Sequence, residues 1–319
     1  MSKLDAVFTD AFLDECSANI TELNSMLIEN CAQVAYNTVL FESAVETLSE
    51  AEDEGKKDSK FSAVKNAAFK ALDTLKRVAK VVFEKIKNAI NQFITKVSSR
   101  SAAAWIKQYQ KEKNEDDWSQ SKVKPAKYLA IANPDKVFPL ELGIGELLRF
   151  EDLTEEKVAA DLVKKITVPA NYAAAKKALG EAKTIADVNK VIGNFASFAE
   201  ENKNVYTAEE VLNALPEMKK TFADLKASYK KAVDGCNSGI KNMYNELNAA
   251  SDEEVAAIKN KIAISQKIMG FFHAAYAGYM KYILALNAST IAAIRSAKKG
   301  GVQEAVEPQL ETFMGLALL

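Results

Sequence analysis

Residues 61–97 read FSAVKNAAFKALDTLKRVAKVVFEKIKNAINQFITKV, and their apolar positions decide the fold class. Phe61, Val64, Ala68, Leu72, Leu75, Ala79, Val82, Ile86, Ile90, Phe93 and Val97 follow one another at steps of three or four, the period of a single helix face. At the standard rise such a helix is about 55 Å long. Between its apolar residues stand Lys65, Lys70, Lys76, Arg77, Lys80, Lys85, Lys87 and Lys96, so the helix is amphipathic with a basic polar side.

The charge of this helix contrasts with what precedes it. Residues 56–100 hold twelve basic and three acidic residues, net +9, whereas residues 1–55 hold one basic and twelve acidic, net −11. Helical apolar spacing also runs through 4–49, where Phe8, Phe12, Leu23, Leu27, Val34, Leu40, Phe41, Val45 and Leu48 fit one or two helices. EAEDEGKKDSK, residues 50–60, breaks that pattern as a solvated turn. Two amphipathic stretches of opposite charge attract each other, a partner or a charged surface.

The final third repeats the helical signature. Apolar positions 218, 222, 225, 229, 233, 236, 240, 243 and 247 predict one long helix, with Pro216 at its start, and a turn at Ala249-Ala250 leads into a second over about 252–298. So short a connection predicts antiparallel packing. Thr207 to Glu210 and Ser251 to Glu254 have the spacing of capping boxes. Gly300-Gly301 ends the last helix before an apolar tail. Between the two helical parts, residues 114–153 contain three of the six prolines and no sustained period, which predicts loops with room for a small β element. Short helices are predicted at 155–166, 170–179 and 185–201. The expected architecture is all-α: an elongated bundle of long antiparallel helices with an irregular middle, divided as 1–113, 114–205 and 206–319.

Composition narrows the function classes. The chain has 319 residues, net charge −1, 48% hydrophobic and 27% charged residues, enough for a sizeable core and without the basic excess that nucleic acid asks for. Three cysteines (Cys16, Cys31, Cys236) without C-x-x-C spacing predict reduced thiols, and the acidic N-terminus lacks the apolar core of a secretory signal. His273 is the sole histidine and reads as a core residue, not a ligand or base. Gly143-Ile-Gly145 lacks the rest of a phosphate loop. Acidic pairs at Glu155/Glu156, Glu209/Glu210 and Glu253/Glu254 fall in first helical turns, where the macrodipole favours them. No catalytic constellation, metal set or cofactor motif follows from these residues, so the reading is a non-enzymatic protein that works through helical interfaces.

Two stretches carry that reading. On helix 61–97, Phe61, Val64, Leu75, Val82, Ile86 and Phe93 form a stripe to supply affinity, and Arg77, Lys80, Lys85 and Lys87 form its charged margin. The same combination suits an anionic bilayer surface, so a membrane-active protein is one rival, and an intracellular helical adaptor or scaffold would show the same pattern. IMGFFHAAYAGYMKYILALNASTIAAI, residues 268–294, is long enough to span a bilayer, but Lys281 at its centre and its small residues fit a buried helix better. Its aromatic cluster, Phe271, Phe272, Tyr276, Tyr279 and Tyr282, reads as packing.

The acidic opening FTDAFLDECSANITELNSMLIENCAQVAYNTVLFESAVETLSEAE, followed by a charged Gly-containing linker and the Lys-rich helix, resembles the virion structural proteins of large tailed bacteriophages, minor capsid, internal or ejected components. The resemblance covers residues 1–100. It implies a particle subunit that assembles with itself or with other virion proteins, located in the virion or in the host cytoplasm during assembly.

Overall fold

The structure, a computed structural model, describes residues 57–98, 122–123, 137–149, 152–200, 206–213 and 217–298. The predicted acidic helices of 4–49, Pro216, the Gly300-Gly301 stop and the tail lie outside the described residues. Of the described residues 83% are helical, which makes the fold all-α. Helix α1 spans Lys57–Ser98, slightly longer than its apolar spacing predicts. Ala68, Leu72, Leu75, Ala79, Val82, Ile86 and Phe93 are all buried on one side of it, as the three-and-four spacing requires.

The C-terminal helices are α7, Met218–Ala249, and α8, Asp252–Lys298. Contacts between them run in opposite directions along the chain. Lys261 Nζ meets Glu246 Oε2 at 2.7 Å near the turn, Tyr276 and Tyr229 meet edge to face further along, and Asn287 Nδ2 approaches Met218 Sδ at the far end. Helix α1 is likewise antiparallel to α7. Lys65 Nζ donates to Asn248 O at 2.9 Å at one end, Phe69 stacks on Tyr244, Phe83 meets Tyr229, and Phe93 meets Phe222 at the other end. Phe83 also touches Phe272, their ring centres 5.5 Å apart, so one helix of the hairpin lies on each side of its ring.

The described residues of the middle are mostly helical from residue 155 on. Helices α2 (Ile144–Leu147), α3 (Glu155–Lys165), α4 (Ala173–Glu181) and α5 (Ile185–Gly193) precede a 3-10 turn at Phe195–Phe198 and α6 (Ala208–Asn213). The helix predicted over 185–201 therefore stops at Gly193, and Gly180 lies inside α4 instead of ending it. Strand β1, Lys122–Val123, pairs antiparallel with β2, Tyr206–Thr207, so the β element joins distant segments. Residues from the middle and from both helical parts form one continuous hydrophobic cluster, running from Ala68 through Phe138, Leu162 and Val188 to Leu286.

Local capping explains several helix starts. Thr207 and Glu210 make the reciprocal capping box, at 2.7 and 3.2 Å, and Thr184 and Asp187 make another that the sequence reading missed. At Ser251 the box is half made. The backbone N–H and the hydroxyl both donate to Glu254 Oε2, at 2.7 and 2.8 Å, while Glu254 N donates to the Ser251 carbonyl. Thr184 holds the Asp187 carboxyl below its ordinary range by hydrogen bonding, and Ser251 does the same for Glu254. Glu155 ties three helices, accepting from Ile185 N with Oε1 and from Lys267 with Oε2.

Helix α8 is apolar on nearly all sides because α1, α7 and α5 cover it. Its small residues have a specific use. Gly270, Ala274 and Gly278 recur every four residues and face Asn189, Gly193 and Ile192 of α5. A methyl group on Gly278 would stand 2.1 Å from the Ile192 carbonyl oxygen. A second close approach brings Gly235 of α7 against Gly143 just before α2, where a methyl on Gly235 would lie 2.8 Å from Gly143 Cα.

Candidate interaction surface

The apolar stripe predicted to face a partner is internal. Leu75, Val82, Ile86 and Phe93 are each 0–2% exposed, packed within the cluster that α1 shares with α7 and α8. Phe61 and Val64 fall in the first turns of α1, with side chains outside the described set. Arg77, Lys80 and Lys87 are exposed. Lys85 is set apart from them. It is half-buried on the α8 side, beside Ile86, Ala89, His273, Tyr276, Ala277 and Met280, in a concavity without room for a water molecule. Burial first, then the charges of Lys281 and Lys85, push the His273 pKa down to about 4, so the ring is neutral at pH 7.

The exposed basic surface extends beyond α1. Lys65, Phe69, Lys76, Lys80 and Lys87 follow at intervals of four and seven, hence along one edge of the helix. Lys65 and Phe69 contact Asn248 and Tyr244, so this edge borders α7. Across the seam, Lys219, Lys226, Lys230, Lys241 and Tyr244 follow at intervals of seven, four, eleven and three, which return to one edge of α7, and Tyr244 fixes it as the edge toward α1. The antiparallel register sets Lys87 level with Lys226 and Lys80 level with Val233. Eight lysines thus rim the α1–α7 seam, seven of them exposed.

Three carboxylates stand on its flanks, Asp73, Glu84 and Asp234, leaving the seam at net +5. Asp73 is engaged, accepting from Tyr244 Oη at 2.5 Å; burial and that bond raise the Tyr244 pKa to about 12. Tyr229 Oη donates to the Phe83 carbonyl at 3.0 Å and closes the floor of the seam. Lys226 and Lys230 are a like-charged i,i+4 pair, which costs a helix a few tenths of a kcal/mol.

Sequence reasoning found the α1 lysines through their contrast with the acidic opening and missed those of α7. Residues 218–249 hold six basic and three acidic residues, a small excess beside the net +9 of residues 56–100, so composition draws no attention to them; the recurrence of Lys219, Lys226, Lys230 and Lys241 at steps of seven, four and eleven was the available signal.

Among the described residues no three His, Cys, Asp or Glu side chains converge as a metal site, and no helix is long and apolar enough to cross a membrane. Residues 268–287 pack in the interior, with Phe271, Phe272, Tyr276, Tyr279 and Tyr282 all covered. Comparison with protein-family models, with curated proteins and with solved structures finds no match to the chain.

Proposed function

We propose that this protein is a non-enzymatic structural or assembly subunit whose working surface is the lysine seam between α1 and α7, and that it docks acidic protein surfaces, those of other copies included. The observation that carries the reading is the seam itself: eight lysines aligned on two packed helices. Charge of one sign along a groove steers an oppositely charged partner and sets its register. The apolar stripe of α1 is spent on the chain's own core, which leaves charge as the means of attraction and weakens the bilayer rival, since interfacial helices need a free apolar face. The likeness of residues 1–100 to virion proteins of large tailed bacteriophages supports a particle as the setting.

Solution mass by light scattering, across protein concentration and in 0.1 M and 1 M NaCl, tests this. Mass should rise with concentration at low salt and return to 34.9 kDa at high salt. The variant carrying Lys76→Glu, Lys80→Glu and Lys87→Glu should stay monomeric throughout. A wild-type mass indifferent to both salt and concentration would remove self-assembly as the function.

A further inference from the structure

We infer that the acidic residues 1–55 of the same chain occupy the lysine seam in the free subunit, as a mask that an assembly partner must displace. The inference rests on the reading of the seam as a docking surface. Complementarity of charge is its first support: the opening carries net −11 and the seam net +5. Position is its second. Residue 55 lies two residues before Lys57, the first residue of α1, and Lys65 opens the seam about 12 Å further on at the helical rise.

The seam from Lys65 to Lys87 runs about 33 Å, and fifty-five residues exceed that length even at the short helical rise. A covalent tether of this kind presents the acidic segment at millimolar effective concentration, above what a separate copy reaches in dilute solution. The segment therefore competes for the seam with every acidic partner. Docking becomes an exchange, favoured where partners are concentrated, as on a growing assembly, and suppressed in the dilute free chain.

Zero-length carbodiimide cross-linking of the full-length chain tests this at a dilution where light scattering shows monomer, using a mixture of unlabelled and nitrogen-15 chains to separate bonds within a chain from bonds between chains. The expected result is cross-links within one chain, from Asp or Glu residues of 1–55 to Lys76, Lys80, Lys226 or Lys230. Raising salt from 0.1 to 1 M should lower their yield about fivefold or more, because screening shortens from about 10 Å to about 3 Å. In the Lys76→Glu, Lys80→Glu, Lys87→Glu variant, checked as folded by circular dichroism, cross-links to Lys226 and Lys230 should fall likewise. In an equal mixture, mixed-isotope cross-links amounting to about half of the total, the share that random pairing between chains gives, would overturn the mask and make a second copy the occupant. Absence of any bond from residues 1–55 to the seam would also overturn it, and salt-sensitive association in the light-scattering experiment would then leave the assembly reading standing without it.

Discussion

Gly278→Ala puts the close crossing of α8 on α5 under strain. The new methyl would lie 2.1 Å from the Ile192 carbonyl oxygen and 2.9 Å from Phe138 Cε1, whereas ordinary contact begins at 3.4 Å. Neither neighbour is a flexible side-chain end, so the C-terminal half of α5 must retreat by about 1 Å. A gap of that size forfeits a quarter to a half of the dispersion attraction across it. The contacts at risk are those of Val188, Ile192, Phe138 and Phe195, all fully buried or nearly so. Overpacking of this kind costs about 1–3 kcal/mol and sometimes more, against about 1 kcal/mol gained by replacing a helical glycine with alanine. With a backbone carbonyl as the obstacle the net should be a loss of about 2–3 kcal/mol, or about 3–5 °C in Tm for a chain of this length. Urea and thermal unfolding followed by far-UV circular dichroism measure it. Gly180→Ala is the control: its methyl meets nothing within 4 Å in the exposed part of α4, so the same exchange should stabilise by up to about 1 kcal/mol. A Gly278→Ala protein as stable as wild type would refute the crossing geometry.

The burial of His273 makes acid destabilising. Its folded pKa of about 4 lies below the unfolded 6.5, so the unfolded chain takes up the proton first; the contribution is complete above about pH 6.5 and is lost as pH falls toward 4, about 3 kcal/mol in all. His273→Leu should flatten that part of the stability curve, read from urea midpoints against pH. Cys236 is buried and its thiol is pushed up to about 12, so a maleimide should leave it unmodified in the native protein and label it in urea. Replacing Lys76, Lys80 and Lys87 by Glu should change unfolding free energy by less than about 1 kcal/mol, because exposed charges contribute little to folding. A loss of several kcal/mol would mean that these lysines hold α1 against α7.

The long helices were legible because a three-and-four apolar period is a property of single residues in order: α1, α7 and α8 follow from it, and the turn expected at Ala249-Ala250 falls one residue later, at Ala250-Ser251. Two things were not legible. The first is which neighbour an apolar face meets. The stripe of Leu75, Val82, Ile86 and Phe93 reads equally well as interface or core, and only the three-dimensional placement of Tyr229, Phe222 and Phe272 against α1 decides for core. The second is long-range close approach. Gly270, Ala274 and Gly278 show as a small-residue run in the sequence, but their partner α5 lies about eighty residues away, and a segment such as 268–294 that is apolar all round can be explained by lipid or by protein on every side. The Lys122–Val123 strand was hidden for the same reason, since its partner is Tyr206–Thr207.

The placement of α1 changes how attraction and specificity divide. An amphipathic helix with a free stripe would bind through apolar area, weakly sensitive to salt, and would accept lipid and protein alike. Here the stripe is already covered, and Phe69 and Tyr244, half-buried along the seam, offer only modest apolar area between the lysines. Binding at such a surface draws on charge, which acts over about 10 Å at 0.1 M salt and fixes orientation through the spacing of the lysines along two rigid helices. An acidic surface with carboxylates recurring at helical intervals can match Lys76, Lys80 and Lys87 on one side and Lys226 and Lys230 on the other at once, and a shift by one residue breaks both sets of pairs. On the proposed reading, register is set by the antiparallel packing of α1 on α7, and the aromatic contacts that build the core, Phe83 with Tyr229 and Phe93 with Phe222, then also select which acidic surface matches the lysines.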